Sequence, residues 1–132
     1  MSCPACRAER VTFGVPDSLR SHAPDESAVA TLCTGCLRVD AVADAAPDAR
    51  VAVDWEPIPS GEAGVAMALL LGKLDSLALE RAAITTLVER VEAAGGDPFL
   101  TLDRLVSLAD SGALDPHVDL DRRATQLRSL LD

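Results

Sequence analysis

Apolar residues recur along this chain with two different spacings, and the spacing changes near residue 60. Val11-Thr12-Phe13-Gly14-Val15 reads as a short strand ended by Pro16, because β-branched and aromatic side chains suit a pleated surface. Residues 17–23 read as a helical turn and residues 25–30 as a second short helix leading into Cys33. Residues 37–42 alternate apolar and polar, which predicts another strand. Residues 43–60 then lose periodicity. They carry Pro47, Pro57 and Pro59, four acids against Arg50 alone, and one possible strand at Val51-Ala52-Val53. That stretch reads as an acidic linker or crossing segment.

Beyond it the spacing becomes helical. Ser60 is placed as an N-cap with Glu62 in the first turn, and residues 63–74 are apolar on nearly all sides, which predicts a central, buried helix broken by Gly72 or Asp75-Ser76. Leu77, Ile84, Leu87, Val88 and Val91 follow at helical spacing until Gly95-Gly96. Asp97-Pro98 restarts a helix as N-cap and first-turn proline, with Phe99, Leu102, Leu105, Val106 and Ala109 on one face and Gly112 past its end. A last helix is expected over residues 116–131, with Leu120, Ala124, Leu127 and Leu131 on one stripe. Three or four helices form a compact bundle.

Composition limits how such a chain can fold. Its 132 residues are 48% hydrophobic but only 2% aromatic, so the core must be built from Ala, Val and Leu. An N-terminal unit of about 40 residues seldom buries enough apolar surface to fold unaided, which puts weight on a metal staple. The balance of 21 acidic to 12 basic residues gives a formal net charge of -9. Lys73 is the single lysine, and the acids are mostly Asp. This resembles the composition of cytosolic proteins from extreme halophiles, where acidity keeps a surface solvated in molar salt. With a Debye length of roughly 3 Å at such salt, net charge neither demands nor excludes a nucleic-acid partner. The N-terminus does not read as a signal peptide. The longest apolar run, residues 65–71, falls far short of the ~18 residues of a membrane span. A cytoplasmic location without membrane insertion is expected.

The cysteines carry the most specific chemistry. Cys3-Pro4-Ala5-Cys6 and Cys33-Thr34-Gly35-Cys36 each have the two-residue gap that turns both sulfurs of a tight turn toward one ion. Backbone N–H groups of such a turn offset the thiolate charge, and Gly35 permits a positive φ. In a reducing compartment, two close pairs point to metal before disulfide. Cys3, Cys6, Cys33 and Cys36 are therefore the candidate ligands of one structural zinc ion, closed to substrate, with Arg7, Arg10 and Arg38 as nearby counter-charges. Iron in the same four-thiolate geometry stays open as an alternative. A redox pair is disfavoured, since Cys3 leaves no room for a preceding strand.

On these two pairs the chain resembles the zinc-ribbon group, in which two cysteine knuckles clamp one zinc between short strands. The resemblance covers residues 3 to about 42. It departs in spacing, with 26 residues between Cys6 and Cys33 against the usual ~15–20, an excess read as a helical insertion over residues 17–30. The layout of the whole chain, including residues 61–66 and 115–123, also resembles an uncharacterised family of small haloarchaeal proteins. These resemblances imply zinc and a halophilic host and no activity. The expected fold class is α+β: a zinc-ribbon-like metal unit over residues 1–42, the linker over 43–60 and a helical bundle over 61–132.

No other residues assemble into a catalytic motif. His22 and His117, the only histidines, read as surface or capping residues, and no nucleophile triad, phosphate loop or carboxylate pair stands out. Trp55 reads as an apolar plug docking the metal unit onto the helices, with partner binding as its second role. Arg122, Arg123 and Arg128 read as a solvated face, with Arg128 placed to favour the helix C-terminus. The function expected is a non-enzymatic zinc-binding interaction protein, its partner a protein or a nucleic-acid-containing assembly and its surface for that partner formed by Arg7, Arg10, Arg38 and Trp55. A small enzyme with a site near Trp55, or a homo-oligomer formed through the apolar helix, are the alternatives.

Overall fold

The computed structural model describes residues 2–43 and 49–131. Three strands, β1 (Arg10–Gly14), β2 (Val29–Cys33) and β3 (Val39–Ala41), form an antiparallel sheet in the order β1-β2-β3. Four α-helices follow among the described residues: α1 (Gly61–Gly72), α2 (Arg81–Ala93), α3 (Pro98–Asp110) and α4 (Leu120–Leu131). The α+β class expected from the sequence is the class observed.

The central strand is the main correction to the N-terminal reading. Residues 25–30 do not form a helix: only Pro24–Glu26 makes a 3-10 turn, with Asp25 and Glu26 at φ 55° and 51°, and Val29–Cys33 becomes the strand between the other two. Its residues are buried on both faces, so it lacks the alternation that marks a half-exposed strand. Pairing sets its register, with Arg10 opposite Cys33, Phe13 opposite Ala30 and Leu32 opposite Val39. Residues 17–23 form the expected turn, as a 3-10 helix over Asp17–His22. Val51-Ala52-Val53 forms no strand. This segment meets the sheet instead through the Gly14 N–H donating to the Arg50 carbonyl at 2.7 Å. Of the linker expected over residues 43–60, residues 44–48 lie outside the described residues.

α1 is buried as its all-round apolar sequence requires, every side chain from Ala63 to Leu71 being out of solvent. Ser60 takes the extended N-cap conformation but its hydroxyl makes no cap bond. The helix lies between the sheet and α2. At its C-terminal end Gly72 touches β3, where an added Cβ would sit 2.9 Å from Val39 Cβ. Phe13, Ala30 and Leu32 from the sheet share one apolar core with Val65–Leu71, Ile84, Leu87, Leu102 and Leu127 from the helices. Arg90 of α2 joins two elements at the surface, donating to Ser18 Oγ at 3.0 Å and pairing with Glu62 of α1.

The later helix signals hold with two shifts: Leu77, expected on the second helix, lies in a turn before it, α2 starting at Arg81, and the last helix starts late. Gly95 at φ 93° ends α2, and the Gly96 N–H returns to the Val91 carbonyl at 2.8 Å, a glycine-terminated helix end that a side chain at positive φ would strain. Asp97 Oδ1 accepts from the Leu100 N–H at 3.0 Å, capping α3 ahead of Pro98. The final helix begins at Leu120 instead of Pro116. Asp119 is its functional cap, its Oδ1 accepting from the Arg122 N–H at 3.2 Å. Arg128 is not merely solvated: it pairs with Asp103 of α3 at 2.7 Å and lies 5.4 Å over the Phe99 ring, joining α4 to α3.

The approach of Gly72 to Val39 generates a stability prediction. Gly72→Ala must push β3 away from α1 or bend the helix, and should lower stability by about 1–3 kcal/mol. Denaturant unfolding at a fixed metal concentration checks it; an unchanged midpoint would show that the sheet yields at no cost.

Candidate metal centre

The two cysteine pairs fold into the same backbone shape from unrelated surroundings. In each, the residue after the second cysteine has φ 66°, Arg7 in one and Leu37 in the other. The Arg7 N–H donates to the Cys3 carbonyl at 2.7 Å, and the Leu37 N–H to the Cys33 carbonyl at 3.1 Å. The Cys3 N–H then reaches the Ala8 carbonyl at 2.8 Å, and the Cys33 N–H the Arg38 carbonyl at 2.9 Å. Two non-glycine residues held in the left-handed region cost of order 1–3 kcal/mol each, and such outliers concentrate at functional sites.

The expected positive φ of Gly35 is not what its turn requires, since that conformation falls on Leu37. Gly35 is needed for space. A Cβ there would meet Ala8 Cβ at 2.5 Å and Cys6 Sγ at 3.3 Å. The second pair forms the hairpin between β2 and β3, and the first is set beside it by β1 and by Thr34, whose N–H and hydroxyl donate to the Glu9 carbonyl at 3.0 and 2.7 Å.

This arrangement brings the four sulfurs within 4.8 Å of one another. Cys3 Sγ lies 3.8 Å from Cys36 Sγ, and Cys6 Sγ 3.3 Å from Cys33 Sγ. These separations exceed the ~2.05 Å of a disulfide. Together with the 4.8 Å limit they bracket the ~3.8 Å edge of a tetrahedron built on ~2.3 Å metal–sulfur bonds. Among the described residues, the cluster consists of these four cysteines alone. Cys3, Cys33 and Cys36 are buried and Cys6 is exposed, so the centre is reached from the first turn.

Local donors decide which sulfurs carry charge readily. The backbone N–H groups of Cys6 and Ala5 hold the Cys3 thiol down at about 6, with Cys33 and Cys36 adding smaller help against burial. Burial pushes Cys33 up, opposed by the N–H groups of Cys36 and Gly35, each 3.4 Å from its sulfur. Burial also pushes Cys36 up, against the Arg38 backbone N–H and the Arg38 guanidinium, whose Nη1 donates to Cys36 Sγ at 3.3 Å. Four thiolates around a divalent ion leave two net negative charges, which such donors offset.

The sequence-selected residues are therefore sorted by the fold. The four cysteines converge. Arg38 touches the cluster, while Arg7 is exposed and Arg10 half-buried on flanking backbone. Trp55 packs half-buried against the apolar core, as expected of a plug. His22 lines a narrow seam with Pro24, Val39, Leu69, Gly72 and Lys73; burial and the charges of Lys73 and Arg90 lower its pKa despite Glu80.

His117, expected as a surface or capping residue, instead docks on the second cysteine turn: its backbone N–H and its ring Nδ1 both meet the Cys36 carbonyl, at 2.9 and 2.8 Å. The Asp115 N–H donates to the Gly35 carbonyl at 2.8 Å beside it. Sequence reasoning missed this loop as part of the centre, because docking of residues 115–117 on a turn some eighty residues earlier leaves no local pattern.

Fold and site together define a small α+β protein with a four-cysteine centre able to hold a metal ion. The chain belongs to a family of unknown function (DUF6276), whose family model matches residues 2–131. No curated protein and no solved structure matches the chain. No helix among the described residues is long and apolar enough to cross a membrane.

The thiol environments predict how metal binding responds to pH. Cys33 and Cys36 are raised from the ordinary thiol value, so each keeps its proton at neutral pH and loses it to an incoming metal ion. Affinity should fall as pH drops through the neutral range with both protons in competition. It should fall more steeply below about 6, where Cys3 is protonated as well. Competition with a chromophoric chelator above and below neutral pH checks this; a flat profile would exclude thiolate ligation.

Proposed function

We propose that this protein is a non-enzymatic zinc-binding interaction protein, with one structural zinc held by Cys3, Cys6, Cys33 and Cys36 in a zinc-ribbon-like unit. The observation that carries this reading is the duplicated turn geometry. Both turns aim their backbone N–H groups at sulfur and leave the four thiolates to complete a tetrahedron, with no open position for substrate or water. The all-sulfur donor set suits zinc, and iron is the competing ion. Zinc bound this way contributes ~10–16 kcal/mol in small peptides, ample to hold the two cysteine turns in place.

In this reading residues 1–42 form the metal unit and residues 61–132 the helical unit, joined by the acidic segment over 43–60. The partner is a protein or a nucleic-acid-containing assembly. It is met by the surface around the turns, where Arg7 and Arg38 are exposed, with Arg10 beside them and Trp55 as a further contact. The net charge of -9 fits a cytoplasm of high salt, in which short-range contacts from such arginines outlast long-range attraction.

Purified protein should contain one zinc per chain by elemental analysis, and iron or an empty site would overturn the assignment. For the interaction, Arg7→Glu combined with Arg10→Glu leaves the Arg38 bond to Cys36 intact. Co-purification in molar salt should lose the partner with this double variant and keep the zinc. Full partner recovery would remove the arginine surface from the proposal.

A further inference from the structure

The loop between α3 and α4 is tied to the second cysteine turn by three hydrogen bonds and by little else polar. Its Asp115 N–H uses the Gly35 carbonyl, and the His117 N–H and ring Nδ1 share the Cys36 carbonyl. These acceptors belong to the peptide units that a metal ion orders, because Cys36 is a candidate ligand and Leu37 after it sits at φ 66°. Without an ion, nothing but burial and hydrogen bonds keeps that strained turn in place.

Behind the loop, α3 and α4 form a hairpin held together internally by Arg128–Asp103 and by the stacking of Arg128 on Phe99. Its attachments to the remainder include the apolar contacts of Leu102, Leu105, Leu114, Leu120, Ala124 and Leu127 in the shared core and the loop on the cysteine turn.

We infer that the metal centre latches the α3–α4 hairpin: an ordered second turn presents the Gly35 and Cys36 carbonyls to Asp115 and His117, and loss of the ion releases the hairpin from the sheet end of the molecule. His117 is the positioning residue of the latch, since its ring and backbone both act on the carbonyl of a ligand residue. Latching makes the C-terminal helices report metal occupancy and, on release, exposes the apolar stripe of Leu120, Ala124 and Leu127. The inference rests on the four cysteines holding zinc.

Hydrogen exchange of the full chain, followed by mass spectrometry with zinc content measured on the same samples, tests it. On zinc removal, peptides spanning residues 112–131 should exchange about tenfold faster or more, while α1 stays protected, and adding zinc alone should restore protection. His117→Ala with zinc present should loosen the same peptides. Because coupling is reciprocal, it should also weaken zinc binding by about the factor by which it loosens the hairpin, which a purely local packing role would not do.

A chain that binds no zinc overturns the metal assignment and the latch together. A chain that binds zinc with equal exchange of residues 112–131 in loaded and stripped states overturns the latch alone. So does loss of protection throughout the chain on stripping, or a His117→Ala variant with unaltered zinc affinity.

Discussion

Convergence of four sulfurs on one small volume is the constraint on which the N-terminal half depends. Cys3 and Cys36 approach to 3.8 Å and Cys6 and Cys33 to 3.3 Å across separations of 33 and 27 residues, which closes a loop whose entropy a short, nearly aromatic-free sheet repays poorly by itself. The same convergence sets the register in which β1 pairs with β2, since Arg10 must lie opposite Cys33. It also imposes the two left-handed residues, Arg7 and Leu37. Backbone N–H groups directed at sulfur, with the guanidinium of Arg38, make the concentration of thiols tolerable in both its protonated and its charged forms.

The sheet so formed is one wall of a core whose other wall is α1. That helix has no polar face, so it cannot lie on a surface. It is enclosed by the sheet, α2 and the segment before Ser60. Close approach at Gly72 and Val39 brings the sheet against the helix without a bulky interface, which suits a core assembled from Ala, Val and Leu. The cysteine cluster and the helical layer are thereby continuous: one end of the sheet carries the cysteines, its face packs on α1, and the second cysteine turn binds the loop before α4.

That continuity sets what kind of site this is. The sulfurs lie within 4.8 Å of one another, and three of the four are buried. Cys6 alone is exposed, so the cluster meets solvent only at the first turn.

Local signals in the sequence determined much of this. The gaps within Cys3–Cys6 and Cys33–Cys36 picked out the four cysteines that converge, the polar-free stretch after Ser60 identified the buried helix, and Gly95-Gly96, Asp97-Pro98 and Gly112 marked helix ends. Each rests on interactions within a few residues, where spacing and side-chain type suffice. Tertiary structure alone decided β2, because a strand covered on both faces carries no alternation and owes its existence to Arg10–Gly14 and Val39–Ala41 on either side. It decided that Leu37, not Gly35, takes the left-handed turn, since the hairpin and not the residue's preference fixes φ there. And it decided that residues 115–119 are a docked loop: Pro116 looks like a helix start, but Asp115 and His117 find better acceptors on the cysteine turn, a partnership between distant segments that no periodicity along the chain can encode.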